Sequence, residues 1–543
     1  MRNKFCYWRK IKFLLVAGSM LVLAACRQEG ATHRPRLIFN CDGTDLLGNF
    51  MFNRRPLSLA DVNAYVDAYA GTQITTFMMC SGAHNGYYRS AYTRIIGEEV
   101  PGMAVDTTLE DPEDIGVYYR NYLNVEREGT DVITAVLQRA REKRLETFIS
   151  YRMNDLHFNA TDQSPLSYCD FWANHPEYWV NEDVGWHSMG AFDFAHPEVR
   201  AFKTGIIAEQ LDKYGHLLDG FDLDFMRFIV YFKQDEGVKH APLMTELVRA
   251  VRQKADGVSA RTGRKILLSV RVPVDMDFCL RKGLDVKEWV RLGLVDMVSI
   301  GVHWRGIPDM PVAKFRARLE NDRIPLLATI DDGGFKPREV YSHGMRRGMA
   351  AHIYAQGGDG IYLFNHFIGG AYDETLPQES KCRRIIEPLL LHELGSPETL
   401  RRRNKTFAID DGSSAAYGYL PDTPLPLAVS ATGQSVAELY VADHPAEDQP
   451  EEAILFIRTD RPEPLDVSVN GTRLNEQEPA YVTAFNRDHN LQNTETVYAY
   501  RIPVTLLRQG DNSVAFRSQA GEVTVKRLEI ALCYGPVETN GYF

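Results

Sequence analysis

Apolar and polar positions along residues 35–375 alternate between two periods. Short runs that are apolar throughout, or apolar at every second position, fall at 36–41, 74–80, 146–151, 220–226, 266–272, 295–302, 325–330 and 360–365. Such runs are the pattern of strands buried in a parallel sheet. Between them lie stretches whose apolar residues recur at the helical period, among them 130–143, 199–214 and 243–260, which predicts amphipathic helices. Eight strands in repeated strand–helix order predict an α/β fold, a closed (β/α)8 TIM barrel. An open doubly wound sheet is the alternative, disfavoured because no glycine-rich phosphate loop follows the first run.

After about residue 400 the texture changes to short β-rich runs separated by turns, at 437–441, 453–458, 465–469, 497–503, 513–517 and 524–532. That spacing predicts a β-sandwich, with Asn470-Gly471 as a hairpin turn. The expected organisation is a leader over 1–26, a linker over 27–34, the barrel over 35–395 and an accessory sandwich over 400–543. The longest insertions, 81–130 and 152–198, follow the second and third strands and carry Tyr87, Tyr88, Tyr92, Tyr168, Trp172, Tyr178, Trp179 and Trp186. Loops of that length in a compact domain are commonly functional. Rings beside acids suit sugar C–H faces, although most of these rings are expected to pack the loops onto the barrel.

The fourth run, Gly220-Phe221-Asp222-Leu223-Asp224-Phe225, sets two carboxylates at the strand period, so both face one side. Acids at the C-terminal end of a buried strand destabilise unless paired or used in chemistry, and that end of a barrel is where active sites form. The ordinary alternative is a strand-end ion pair or helix cap involving Arg227. Polar groups also follow nearly every other run: Asp42 and Asp45; His84 and Asn85; Arg152, Asn154, Asp155 and His157; Arg271, Asp275 and Asp277; His303 and Trp304; Asp331 and Asp332; Asn365 and His366.

The N-terminus reads as an export signal, with basic Arg2, Lys4, Arg9, Lys10 and Lys12 ahead of an apolar run over 13–25. Leu23-Ala24-Ala25-Cys26 resembles the lipobox of bacterial lipoproteins, which implies lipidation at Cys26 and a cell-envelope tether. With no Asp at position 27, an outer-membrane anchor is expected, its leaflet undecided. Removing 1–26 takes away five basic and no acidic residues, so the net charge of −11 becomes −16. That balance argues against nucleic acid, which needs clustered Lys and Arg, and against a strongly anionic ligand unless the pocket is locally basic. The remaining cysteines, at 41, 80, 169, 279, 382 and 533, show no zinc spacing and no disulfide framework. Cys41 and Cys80 end neighbouring strands and could pair, but buried free thiols are expected. No cofactor and no bound metal are expected.

Several segments together resemble the family-10-like glycosyl hydrolases, barrel glycosidases of polysaccharide-degrading bacteria. They are Arg152-Met153-Asn154-Asp155 with His157, His175-Pro176-Glu177-Tyr178, the stretch 193–200, the stretch 219–227, and Ser269-Val270-Arg271-Val272-Pro273. The resemblance covers about 35–375 and implies a sugar-acting barrel without naming a substrate. Residues 219–225 also resemble the Asp-Gly-x-Asp-x-Asp-x-Glu strand of family-18 chitinases, but Met226 stands where the chitinase acid would be.

Glycoside hydrolysis by two carboxylates needs one acid and one nucleophile or base. The expected pair is Asp224 with Asp331 or Asp332 across the mouth, with Asp222 deeper, orienting Asp224 or Arg227, and Asp155 in reserve. Asp42, His84, Arg152, Asn154, His157, Arg227, Arg271, His303, Trp304, Asn365 and His366 are the expected substrate-binding residues, the arginines gripping hydroxyls or a uronate carboxylate or serving as structural partners of buried aspartates. Aspartates at the ends of the fourth and seventh strands, one methylene shorter than glutamates, point to an inverting mechanism or to lost catalysis. Two further readings stand beside the hydrolase: a non-catalytic glycan-binding lipoprotein on the same barrel, and a metal-dependent hydrolase or deacetylase using Asp222, Asp224 and His84, His157, His303 or His366.

Overall fold

The computed structural model describes residues 35–52, 54–99, 115–157, 166–184, 188–302, 306–332, 342–366, 388–410, 423–475 and 495–535. Cys26, Cys382, Trp186, His303 and Trp304 lie outside the described residues, as does the whole leader.

The eight expected strands form one closed parallel barrel in chain order: β1 (Arg36–Cys41), β2 (Thr76–Cys80), β3 (Glu146–Arg152), β4 (Gly220–Asp224), β5 (Leu267–Pro273), β6 (Met297–Gly301), β7 (Leu326–Asp331) and β8 (Gly360–Phe364), with β8 closing onto β1. The helical stretches appear as Val132–Glu142, Pro197–Tyr214 and Gly237–Thr262. Their ends follow local chemistry. The Asp131 side chain accepts from Thr134 N at the first of these helices, Pro197 opens the second, and Gly263 ends the third in the left-handed conformation.

Two apolar layers result. The outer faces of the strands and the inner faces of the helices share one large core, including Leu37, Phe39, Phe77, Ile149, Phe221, Leu223, Val270, Ile300 and Leu363. The barrel interior holds a separate cluster of Ile38, Met78, Phe148, Met297, Leu327, Tyr362 and Phe364. Gly220 is required there, because a Cβ would collide with the Phe148 ring. Further toward the C-terminal mouth the inward positions turn polar, and this is where Asp222 and Asp224 stand.

Beyond the barrel, β9 (Lys405–Asp410), β10 (Leu427–Val429), β12 (Glu452–Thr459), β15 (Thr496–Arg501) and β17 (Val523–Cys533) make one sheet. The other is made by β11 (Ser435–Val441), β13 (Leu465–Val469), β14 (Thr472–Arg473) and β16 (Gly510–Ser518). The two antiparallel sheets enclose a core of Leu439, Val441, Leu455, Ile457, Val467, Val514, Phe516, Leu528 and Ile530. Asn470 and Gly471 both have positive φ between β13 and β14, as the hairpin signal requires. The described residues from Arg36 onward belong to one compact unit. At the junction Gly348 faces the Thr406 carbonyl so closely that no Cβ would fit, and Arg347 bonds both Glu393 and the Asn404 carbonyl.

Cys41, Cys80, Cys169, Cys279 and Cys533 are buried free thiols. Among the described residues no helix is long and apolar enough to cross a membrane.

Candidate active site

Three neighbouring strands carry matched patterns in register. Ser150 and Arg152 on β3 sit opposite Asp222 and Asp224 on β4, which sit opposite Ser269 and Arg271 on β5. A serine–x–arginine strand therefore flanks an aspartate–x–aspartate strand on both sides. Asp222 is fully buried and accepts from Ser150 Oγ at 2.9 Å, Ser269 Oγ at 2.5 Å and Tyr362 OH at 3.2 Å. Burial first, then the neighbouring Asp224 charge, pushes its pKa up to about 6 against the pull of the two serines. Asp224, one turn of the pleat nearer the mouth, takes the Arg271 fork, Nε at 2.9 Å and Nη2 at 3.2 Å, and also accepts from Met226 N. Arg271 lies 3.8 Å from the centre of the Phe364 ring. Burial opposes its charge, but Asp224, Tyr362 and Asp331 more than restore it and raise its pKa. The sequence-predicted alternative role for Arg271, partner of a buried aspartate, is thus what its geometry displays.

A second set of charges gathers at the ends of β1 and β3. Arg152 donates to Asp42 and, at 2.9 Å, to Asp155. Thr44 donates to the other Asp42 oxygen. Asp155 also accepts from His157 N at 3.0 Å and meets His157 Nδ1 at 2.5 Å. Burial would raise the Asp155 pKa, but His157, Arg152 and Arg227 reverse the sign and hold it well below the carboxylate range. Arg152 falls to about 10 through burial and then repulsion from Arg227. Arg227 Nε stands 3.9 Å from Asp155, an ion pair too long for a hydrogen bond.

His84 lies beneath this group. Its Nε2 meets the Asp155 carbonyl at 2.5 Å, and its Nδ1 meets Nζ of Lys203 at 2.9 Å. Lys203 comes from helix Pro197–Tyr214, is fully buried, and also donates to Tyr151 OH at 3.2 Å. Burial lowers it to about 7 and pushes His84 well below its ordinary value, with Lys203 adding to the latter. A neutral His84 with its proton on Nε2 satisfies both contacts, Lys203 donating and the Asp155 carbonyl accepting. The arrangement ties the β2 loop to the β3 loop and fixes where Asp155 can sit.

Across the mouth, Asp331 faces inward and accepts from Asn365 Nδ2 at 3.0 Å. Asp332 points the other way, between Arg346 Nε at 2.7 Å and His366 Nδ1 at 2.6 Å. Burial acts to raise Asp332, but Arg346 and His366 outweigh it and lower its pKa. Other residues serve the scaffold. The Asn154 amide donates to the Phe192 and Val230 carbonyls and accepts from Phe192 N, with no exposed surface. Asp275 caps a helix through Phe278 N, Asp277 pairs with Arg318 on the surface, and Asp45 is bonded by Tyr65. Asn85 donates to the Ser167 carbonyl. Among the described residues no three His, Cys, Asp or Glu side chains converge as a metal-ligand set.

Ser150, Ser269, Tyr362, Phe364, Lys203 and Cys80 were not among the expected site residues. Cys80 feels Asp155, Asp224 and Arg227 after burial has pushed its thiol up to about 12. The two serine–x–arginine pairs carried a readable signal, since each stands in a run predicted as a strand beside the aspartate strand. Lys203 carried none, being one more lysine on an amphipathic helix.

No family model and no curated protein matches the chain. Solved structures resemble it distantly. A cycloisomaltooligosaccharide glucanotransferase of a Paenibacillus species, complexed with cycloisomaltoheptaose, shares 10% identity over 92% of this chain and 58% of its own, with a TM-score of 0.33. This chain thus spans well under two thirds of that enzyme's length. The glycoside hydrolase domain of PgaB from Bordetella bronchiseptica shares 10% identity over 67% of this chain and 99% of its own, with a TM-score of 0.40. A family 18 chitinase from Chromobacterium violaceum shares 11% identity over 91% of each chain, with a TM-score of 0.33.

Proposed function

We propose that the protein is a glycoside hydrolase acting on a poly- or oligosaccharide at the C-terminal mouth of its barrel. The observation that carries this reading is the in-register set of Asp222 and Asp224 between two serine–arginine pairs. It buries two carboxylates side by side and sets their environments apart, hydroxyls around the deeper one and a guanidinium on the outer one, as acid–base chemistry requires. In this reading Asp224 is the working carboxylate and Asp331, which shares Arg271 with it electrostatically, is its partner across the mouth. Asp222 supports Asp224, and Asp155 is the alternative partner. Arg152, Arg227, His157, Asn365, His366, His303 and Trp304 would contact the sugar.

A second reading has an observation of its own. Asp155, Asp224 and Asp332 are each engaged by a cation, and Met226 occupies the place of a chitinase-type acid. A glycan receptor on a barrel that has lost its chemistry would have these features. Product release from a broad panel of polysaccharides and aryl glycosides separates the two. Wild type is compared with Asp224→Asn and Asp331→Asn, each with a melting curve and an EDTA control. Release lost in either variant with the fold intact supports the hydrolase. Saturable glycan binding by all three proteins with no product supports the receptor, and release stopped by EDTA alone supports the metal-dependent reading.

We also propose that Cys26 is lipidated and tethers the chain to the cell envelope. Cys26→Ser should then move the protein from the membrane to the soluble fraction, and unchanged membrane partition would discard the anchor.

A further inference from the structure

Arg227 is the guanidinium of the mouth with the most hydrogen-bonding capacity left over among the described residues. It is 8% exposed, and its Nε and Nη1 are sealed from solvent without a hydrogen-bond partner among the described residues. Its nearest carboxylate, Asp155 at 3.9 Å, already serves Arg152 and His157. The guanidinium lies 5.5 Å from the Phe364 ring centre, and Phe364 faces the barrel interior at the top of β8. Arg227 also acts on Cys80 and Tyr87 from the β2 side. Those contacts place the group on the β8, β2 and β3 side of the mouth. Arg152 beside it has an Nε in the same condition, and the two cations repel each other. By contrast, the Arg271 fork is filled by Asp224.

A buried donor left unmade is destabilising, the more so when it is charged. Such a site persists where a ligand supplies the acceptor. A sugar hydroxyl could accept one of these bonds but brings no charge, and Asp155, the one carboxylate within ion-pair distance among the described residues, is already shared with Arg152 and His157. A planar carboxylate or a sulfate ester offers several acceptor positions and the opposite charge, and the arginine fork matches that geometry. The chain's overall charge of −11 offers no long-range attraction to an acidic polymer, so recognition would depend on this local pair.

We infer that Arg227, with Arg152, forms a subsite for an anionic sugar substituent, so that the glycan accepted by the mouth is an acidic one. This rests on the carbohydrate reading above and narrows it to a substrate class. It is tested by calorimetric titration with oligosaccharides of galacturonate, glucuronate and mannuronate–guluronate, each beside its carboxyl-reduced neutral twin, and with sulfated galactan oligosaccharides. Wild type, Arg227→Met and Arg227→Lys are compared, with melting curves to verify folding. At least one acidic oligosaccharide should bind wild type tenfold or more tightly than its neutral twin, and raising the salt should weaken that preference. Arg227→Met should bring the pair to equal affinity. Arg227→Lys, which keeps the charge without the fork, should lose most of the preference. Preference for uronates over sulfated galactans, or the reverse, names the anion. Equal binding of every acidic and neutral pair, absence of binding to any acidic member, or a preference that survives in folded Arg227→Met overturns the inference. Turnover of neutral glycans alone would retain the hydrolase and discard this subsite. Acid-selective binding without turnover would do the opposite.

Discussion

Replacing Asp222 by Asn removes a carboxyl that folding makes harder to ionise, and the consequence is a signed pH dependence of stability. Burial, joined by the Asp224 charge, raises the Asp222 pKa from 3.8 to about 6. Between those values the folded chain holds a proton that the unfolded chain has released. The stability contributed through this group therefore falls as pH rises from about 4 to about 6, and is level above that. Two units at 1.36 kcal/mol each set the loss at about 3 kcal/mol. The Asp222→Asn variant lacks this titration, so its stability relative to wild type should climb by about that amount across the window and then hold. Any constant effect of turning the Ser150, Ser269 and Tyr362 hydroxyls to serve an amide displaces the whole difference without changing its slope. Asp45, which burial also pushes up to about 6, titrates in both proteins and cancels. Urea unfolding of both proteins at half-unit steps from pH 4 to 8 gives the comparison. A difference flat across pH 4 to 6 would show that Asp222 titrates normally and would refute the electrostatic account of the barrel floor.

Two further outcomes follow from the same charges. Arg271→Met leaves Asp224, 1% exposed, without its cation and should destabilise by about 3–5 kcal/mol. Arg271→Met combined with Asp224→Asn should lose markedly less than the two single variants summed, by about 2 kcal/mol or more in a urea double-mutant cycle; additivity would mean the fork contributes nothing. Lys203, lowered from 10.5 to about 7 by burial, binds its proton less readily folded than unfolded. Wild-type stability should therefore rise between pH 7 and 9.5 relative to Lys203→Met, by about 3 kcal/mol. Parallel denaturation midpoints across that range would show that Lys203 keeps an ordinary proton affinity.

The fold was legible because each barrel strand is a buried run whose period differs from that of the helix beside it. All eight runs fall on strands, with ends displaced by at most two residues. The same period of two placed Asp222 and Asp224 inward. The strand period also separates Asp331 from Asp332, neighbours in sequence that face Asn365 and Arg346 respectively. Partners were harder to read, because they depend on which residue of one strand meets which residue of the next. Register places Ser150 and Ser269 beside Asp222, and Tyr362 reaches it from four strands away around the barrel. Asn154 reads from sequence as a sugar ligand, yet its amide is taken by two backbone carbonyls of distant loops. Lys203 under His84 comes from the following helix, where no local pattern marks it.

The distribution of these charges bears on why the mouth is built as it is. The lower barrel interior is apolar, with Ile38, Met78, Phe148, Met297 and Leu327 filling it, and the shell beneath the helices is larger still. Stability has a sufficient source there, and apolar residues at the upper inward positions would add to it. Instead those positions hold Asp222, Asp224, Arg152 and Arg271, with Asp155, Arg227 and Asp331 close above them, all at least nine-tenths buried. Apolar replacements for buried ion pairs are commonly neutral or stabilising, so the pairs themselves do not account for their presence. Structural ion pairs would also be complete, as Asp224 with Arg271 is. Arg227 is not: it is buried, charged and short of acceptors among the described residues. Unfilled donors on Arg227 and Arg152, beside the filled fork of Arg271, are what a site has when its last partner is a ligand, and the proposed anionic subsite rests on this asymmetry.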